Sequence, residues 1–245
     1  MDEPLERLEL NGVKHTILGT AHVSKTSAEA VKTLIDSGDF DAVAIELDQS
    51  RFSALNNPNA YAEMDLFKII RQGKAGAIAA SLALGAFQQR IAEQMGIEPG
   101  QEMRQAISSA RAANIPILLI DREIGTTLRR VYANVPWWKR ITLFSGIVAS
   151  VFSNEEVSEE DIENLKQGDM LEATFSEFAE NSADLFKPLI AERDQFMSAQ
   201  LRRQTVFNDE PKYNNVLSVI GAGHLKGLVN HLKTDTDEPN QVISE

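Results

Sequence analysis

The sequence predicts an α/β protein with a central, mostly parallel mixed sheet, an N-terminal β-hairpin, helices on the sheet faces and a large helical insertion or cap. Three observations carry this. Asn11-Gly12 separates two short strand-like runs, and both residues tolerate the positive φ that a two-residue hairpin needs. Strand-like and helix-like runs then alternate, the order expected of parallel strands joined by helices. The run Ala42-Val43-Ala44-Ile45 is apolar without alternation, as a strand covered on both faces requires.

From the N-terminus, Leu5–Leu10 and Val13–Leu18 form the hairpin, and the second strand runs into Gly19-Thr20-Ala21-His22. Ser24 suits an N-cap, opening a helix to about Ser37. Asp41–Leu47 is a buried strand ending in Glu46-Leu47-Asp48, with Asp48 placed to cap the next helix. A long helical stretch spans about Ala60–Met95, and Pro99-Gly100 is a turn. Gln101–Ala113 is a helix, and Ile115–Ile120 is a strand ending at Asp121-Arg122. Helices cover Thr126–Asn134, the segment after Pro136, and Asp184–Gln204. Asn215–Ile220 is the last strand. It leads into Gly221-Ala222-Gly223-His224 and a helix to about Leu232. The helical portions at about 59–113 and 123–205 exceed what plain crossovers need, hence the cap. One domain is expected over residues 1–233, with a polar tail at 234–245 that frays.

Composition narrows the function. The chain has 245 residues, enough for one sizeable core, with 43% hydrophobic and 24% charged residues. Its 24 basic and 36 acidic residues leave a net charge of −12, which argues against a broad nucleic-acid-binding face. It contains no cysteine, so disulfides, thiolate nucleophiles and Cys-ligated zinc are excluded. The charged N-terminus lacks the apolar core of a signal peptide. No stretch reaches the roughly 20 apolar residues of a membrane span; Ala75–Phe87 and Ile141–Phe152 read as buried helices. The six acidic residues of Glu155–Glu163 read as a solvated face.

Chemistry is expected at the carboxyl ends of the strands, where open α/β sheets collect their sites. Four such ends carry polar groups: Gly19–His22, Glu46–Asp48, Asp121-Arg122 and Gly221–His224. Two of the four histidines follow a glycine by three residues, in tight turns that can aim an imidazole over the sheet edge. Two histidines and a carboxylate make a familiar divalent-metal set, with a metal-bound water as nucleophile. Each element also has a plain structural reading. A histidine after a strand is commonly a hydrogen-bonded structural residue. Glu46 could pair with Arg51 or Arg122, and Asp48 could be only a cap. Asp121 and Arg122 could simply tie strand to helix. His15 lies within a strand and His231 on the last helix; both are read as structural, with His231 a reserve ligand. Arg129, Arg130, Lys139 and Arg140 form either a solvated basic face or an anion-binding one. Gly-x-Ser-x-Gly, Gly-x-Gly-x-x-Gly, Walker and His-Glu-x-x-His motifs are all missing from the sequence.

Six short motifs in order resemble one family, TraB/PrgY/GumN. They are Gly19-Thr20-Ala21-His22-Val23-Ser24; Glu46-Leu47-Asp48 with Arg51; Pro99-Gly100-Gln101-Glu102-Met103; Asp121-Arg122 with Thr127-Leu128 and Arg130; Glu192-Arg193-Asp194 with Met197; and Gly221-Ala222-Gly223-His224-Leu225 with Gly227. The resemblance covers about residues 8–232. It implies an EreA/ChaN-like α/β fold and the metal-dependent peptidase activity proposed for TIKI-type relatives. It implies His22, Glu46 and His224 as ligands of a divalent ion, Mn, Co or Zn. It also implies Arg122, Arg130 and Arg193 as site or substrate-orienting residues. Taken with the strand-end reading, Glu46, Asp48, Asp121 and Arg122 are expected as catalytic groups, and Arg51, Glu102, Arg130 and Arg193 as substrate-binding groups. The expected partner is a peptide substrate or signal peptide, with no nucleic acid; a homo-oligomer is left open. The alternative is a module that binds and sequesters a peptide pheromone without cleaving it. Family members often continue into C-terminal membrane helices, so a soluble domain of a membrane-associated parent is expected.

Overall fold

Asn11 and Gly12 have φ of 50° and 76°, and they close the hairpin predicted there. The computed structural model in which this is seen describes residues 3–20, 25–56, 100–139, 180–208 and 210–244. Strand β1 (Leu5–Leu10) pairs antiparallel with β2 (Val13–Thr20), Leu10 facing Val13 across the turn. Helix α1 (Lys25–Asp36), strand β3 (Ala42–Ile45) and helix α2 (Gln49–Asn56) come after the hairpin. Next are α3 (Gln101–Ala112), β4 (Ile117–Leu119) and α4 (Ile124–Asn134). The predicted helix Asp184–Gln204 is divided. A short turn, α5 (Ala183–Phe186), and a π-helical turn, Lys187–Ala191, precede α6 (Glu192–Thr205). Pro188 lies in the π-helical turn and withdraws one N–H from the ladder. A small hairpin, β5 (Val206–Phe207) with β6 (Glu210–Pro211), leads to β7 (Asn215–Gly221) and α7 (Ala222–Thr234). The tail expected to fray contains α8 (Pro239–Ser244), which packs on α6. Proline at the first helical position loses no bond, and Val242 and Ile243 are half-buried there.

The sheet order is β1-β2-β7-β3-β4, antiparallel only at the β1 edge. This is the mixed, mostly parallel sheet that the sequence predicts. The last strand enters the middle. The first parts of β3 and β7 are tied by Asp41, whose carboxylate accepts the backbone N–H groups of Asn214 and Asn215 at 2.7 and 3.0 Å.

Residues of β3 are buried throughout, as are those of β7 after Asn215 and of β2 apart from Lys14. Both faces are therefore covered, which is why these strands read as apolar runs. On one face Val13, Ile17, Ala42, Ala44, Val216 and Ile220 pack against α6 and α7 through residues such as Met197, Leu201 and Leu228. The alternate residues Leu18, Val43, Ile45, Leu217 and Val219 are buried on the other face. Helices α1 and α3 pack together, and α3 reaches β3.

The chain divides into two compact units. One comprises Met1–Asp48, Gly100–Arg122 and Ile190–Glu245 and holds the five-stranded sheet. The other comprises Gln49–Pro99 and Glu123–Leu189. In the second, α4 packs on α5, Asn134 donates to the Asp184 carbonyl at 2.6 Å, and Lys139 pairs with the Asp184 carboxylate at 3.1 Å. Trp137 and Trp138 are exposed and meet edge to face. The predicted helix Ala60–Met95, the apolar runs Ala75–Phe87 and Ile141–Phe152 and the acidic run Glu155–Glu163 lie outside the described residues. Among the described residues no helix is long and apolar enough to cross a membrane.

Candidate functional site

Strand order decides which strand ends become neighbours. Thr20 at the end of β2 is in register with Gly221 at the end of β7, and its hydroxyl donates to the Ile220 carbonyl at 3.1 Å. Both Gly-x-x-His segments therefore begin at the same sheet edge. A Cβ at Gly19 would stand 3.1 Å from both Ala222 Cα and Pro4 Cγ, so the bare glycine lets β2 end close against the start of α7. His22 itself lies outside the described residues.

Pairing continues past the formal ends of β3 and β4. The Ile120 N–H donates to the Ile45 carbonyl at 3.2 Å, and Asp121 N–H to the Leu47 carbonyl at 3.3 Å. This places Asp121 alongside the Glu46–Asp48 segment. Glu46, Asp48, Asp121, Arg122 and His224 are all buried at this edge.

Glu46 turns its carboxylate toward β7. Its Oε2 accepts the Gly221 N–H at 2.6 Å. Gly221 is the N-cap of α7, so this carboxylate also meets the positive end of a helix. Glu46 Oε1 accepts from Arg193 Nη2 and lies 3.4 Å from His224 Nε2. Besides the partners Arg51 and Arg122 considered from the sequence, Glu46 thus has a partner from α6.

Arg193 connects three strand ends. Its Nε and Nη2 donate to Asp121 Oδ1 and Oδ2 at 3.0 and 2.6 Å, Nη2 also reaches Glu46, and Nη1 lies 3.0 Å from His224 Nε2. Burial works against the charge on this guanidinium. The fields of Asp121 and Glu46, with their hydrogen bonds, outweigh burial and hold its pKa above the usual arginine value. Neighbouring Arg122 pairs with Glu192 Oε2 at 3.1 Å, and its own N–H donates to Asp121 Oδ1 at 2.7 Å.

Behind the ring of His224 lies Asp194, with Oδ1 2.6 Å from Nδ1. Burial raises the Asp194 carboxyl above its ordinary value, opposed by the hydrogen bond and charge of His224 and by Arg193 and His231. Sequence reasoning assigned this aspartate no role. The string Glu192-Arg193-Asp194 was visible, but which side chain faces which partner depends on how α6 crosses α7.

The other residues singled out from the sequence are placed in their own elements. Glu102 is buried in the first turn of α3. Arg51 on α2 and Arg130 on α4 are half-buried and belong to the other unit. His15 is a core residue of β2. His231 is bonded to the Asp235 carboxylate at 3.0 and 3.1 Å, the structural reading given to it. Among the described residues no group of three or more His, Asp or Glu side chains is arranged to hold a metal ion.

A mostly parallel sheet whose carboxyl edge carries buried carboxylates, a guanidinium and an imidazole defines an α/β protein with its polar centre where such folds place their sites. Residues 4–238 match the model of the TraB/PrgY/gumN family, and the chain belongs to that family. It is 33% identical to the uncharacterized protein MJ1365 of Methanocaldococcus jannaschii over 226 residues, covering 91% of this chain and 55% of that protein. It is 29% identical to the TraB domain-containing protein of Bos taurus over 244 residues and 28% identical to that of Homo sapiens over 246. Each of those two alignments covers 92% of this chain and 64% of the relative. The chain thus spans between about half and two thirds of these relatives' lengths.

Proposed function

We propose that the chain is a hydrolase domain acting on peptides, assisted by a divalent ion (Mn, Co or Zn) that Glu46, His224 and His22 would hold. The observation that carries this reading is the 3.4 Å approach of Glu46 Oε1 to His224 Nε2 in a corner that already receives a positive charge. The Arg193 guanidinium stands in for a cation against these donors. An imidazole lone pair with carboxylate oxygens is a set that such ions accept. Holding an ion requires Arg193 to release Glu46 and His224. When bound, the ion supplies Lewis acidity toward a carbonyl or water oxygen.

The chain's own residues account for the rest. Once Arg193 releases it, the Glu46 carboxylate would serve either as a ligand or as a general base toward a water at this edge. Asp121 holds Arg193 by two prongs, so a cation is fixed in orientation beside the reacting position. There it can bind a substrate carboxylate or a developing oxyanion. Burial of these groups strengthens each charge interaction by excluding water.

The test is incubation of peptide mixtures with the protein and Mn²⁺ or Co²⁺, followed by mass spectrometry. Metal-dependent cleavage that disappears in His224→Ala and Glu46→Gln supports the reading; undiminished cleavage in His224→Ala overturns it. A second reading, peptide capture without cleavage, is favoured by the fact that Arg193 already neutralises both Glu46 and Asp121. Intact peptide with measurable binding in the same experiment selects it.

A further inference from the structure

Asp194 is the next residue after Arg193 on the first turn of α6 but serves a different partner. Its Oδ1 lies 2.6 Å from His224 Nδ1, and both side chains are buried. The other ring nitrogen, Nε2, faces Arg193 Nη1 at 3.0 Å. A guanidinium offers only donors, so this contact requires a lone pair on Nε2. The ring hydrogen then sits on Nδ1 and is donated to the Asp194 carboxylate.

That carboxylate reaches the ring only because residue 227 has no side chain. A Cβ on Gly227 would stand 1.9 Å from Asp194 Oδ2, 2.7 Å from its Cγ and 3.2 Å from its Cβ. Gly227 lies one turn beyond His224 on α7, so a single helix presents both the imidazole and the gap beside it. Glycine inside a helix is unfavourable by itself. Here the missing methyl is the volume that Asp194 occupies.

We propose that Asp194, admitted by the gap at Gly227, is the positioning residue of the site: it holds His224 in its Nδ1–H form and turns the Nε2 lone pair toward Glu46 and Arg193. The inference rests on the reading of His224 as a working group. A carboxylate behind an imidazole fixes the ring's orientation and raises the basicity of the far nitrogen, whatever that nitrogen then binds. A packing contact alone would need the space at Gly227 but not the charge.

The experiment is ¹⁵N spectroscopy of the full chain with labelled histidine, the His224 signals being assigned by their loss in His224→Gln. In the wild type Nδ1 should carry hydrogen and Nε2 should not. Asp194→Asn, which preserves shape, and Gly227→Ala, which displaces the carboxylate, should both move His224 off this pattern. Both should weaken Mn²⁺ binding by about 10- to 100-fold. The double variant Asp194→Ala/Gly227→Ala should regain the stability that the clash costs Gly227→Ala while the His224 signals stay altered. An unchanged His224 pattern in Asp194→Asn, or a wild-type pattern restored in the double variant, would overturn the proposal. Peptide turnover by the wild type is scored separately. Its absence defeats the hydrolase reading and leaves the ring-nitrogen result to decide this one.

Discussion

Arg193 grips Asp121 with two bonds, Nε to Oδ1 at 3.0 Å and Nη2 to Oδ2 at 2.6 Å. The planar fork of a guanidinium matches a carboxylate in this way, and no lysine could. Because the remaining edge of the same group reaches Glu46 and His224, one side chain from α6 secures the ends of β3, β4 and β7.

Removing that cation should be costly without metal and partly compensated with it. Arg193→Met leaves two buried carboxylates without their shared partner, a loss of roughly 3–5 kcal/mol. If an ion takes the place of the guanidinium, Mn²⁺ will raise the unfolding midpoint of the variant by more than that of the wild type. Urea unfolding with and without Mn²⁺ checks both parts, and equal metal responses would refute the competition.

Glu46→Gln separates charge from shape. The amide oxygen can still accept from Gly221 or Arg193, but its NH₂ must then face a donor. The expected cost is about 1–3 kcal/mol, since one buried donor loses its acceptor. Loss of turnover far beyond what this destabilisation explains would mark the carboxylate as part of the chemistry. Urea unfolding and initial-rate measurements on the same preparation give the two numbers.

The hairpin provides a prediction independent of function. Gly12 has φ of 76°, which an L side chain adopts only with strain, at roughly 1–2 kcal/mol. Gly12→Ala should therefore destabilise the protein by about that amount while leaving metal or peptide binding intact. Denaturant unfolding and a binding titration test the pair of claims.

His15 should make stability depend on pH. Burial lowers its pKa from 6.5 to about 4. The unfolded chain thus takes up a proton at a higher pH than the folded one. Stability from this residue is fully present above pH 6.5 and is lost as pH falls toward about 4, by about 3 kcal/mol in total. His15→Leu should flatten the fall between these limits; an equally steep fall in the variant would assign it to other groups. Urea midpoints across the range give the comparison.

The legible parts of the fold share one property: their causes act over a few residues. Asn11-Gly12 specifies a turn through two dihedrals, and Ala42–Ile45 announces a two-sided burial by lacking alternation. A polar residue after an apolar run marks a strand end, so Glu46, Asp121 and His224 could be named before their proximity was known. The π-helical turn at Lys187–Ala191, the β5–β6 hairpin and helix α8 were not legible. Pro188 did not distinguish an ordinary first turn from a π-helical one, and α8 gains its main support by packing on α6.

By itself, then, the sequence determined the strand-end groups, the hairpin and the family motifs, because dihedral preference and burial pattern are written locally. Only the tertiary structure decided which of these groups meet. The order β2-β7-β3-β4 inserts the last strand between the early ones and brings Gly221 and His224 to Glu46. The crossing of α6 and α7 sends Arg193 to the carboxylates and Asp194 into the gap left by Gly227. Those choices come from long-range packing of whole elements, in which a residue's neighbours in space are set by chain segments far from it in sequence.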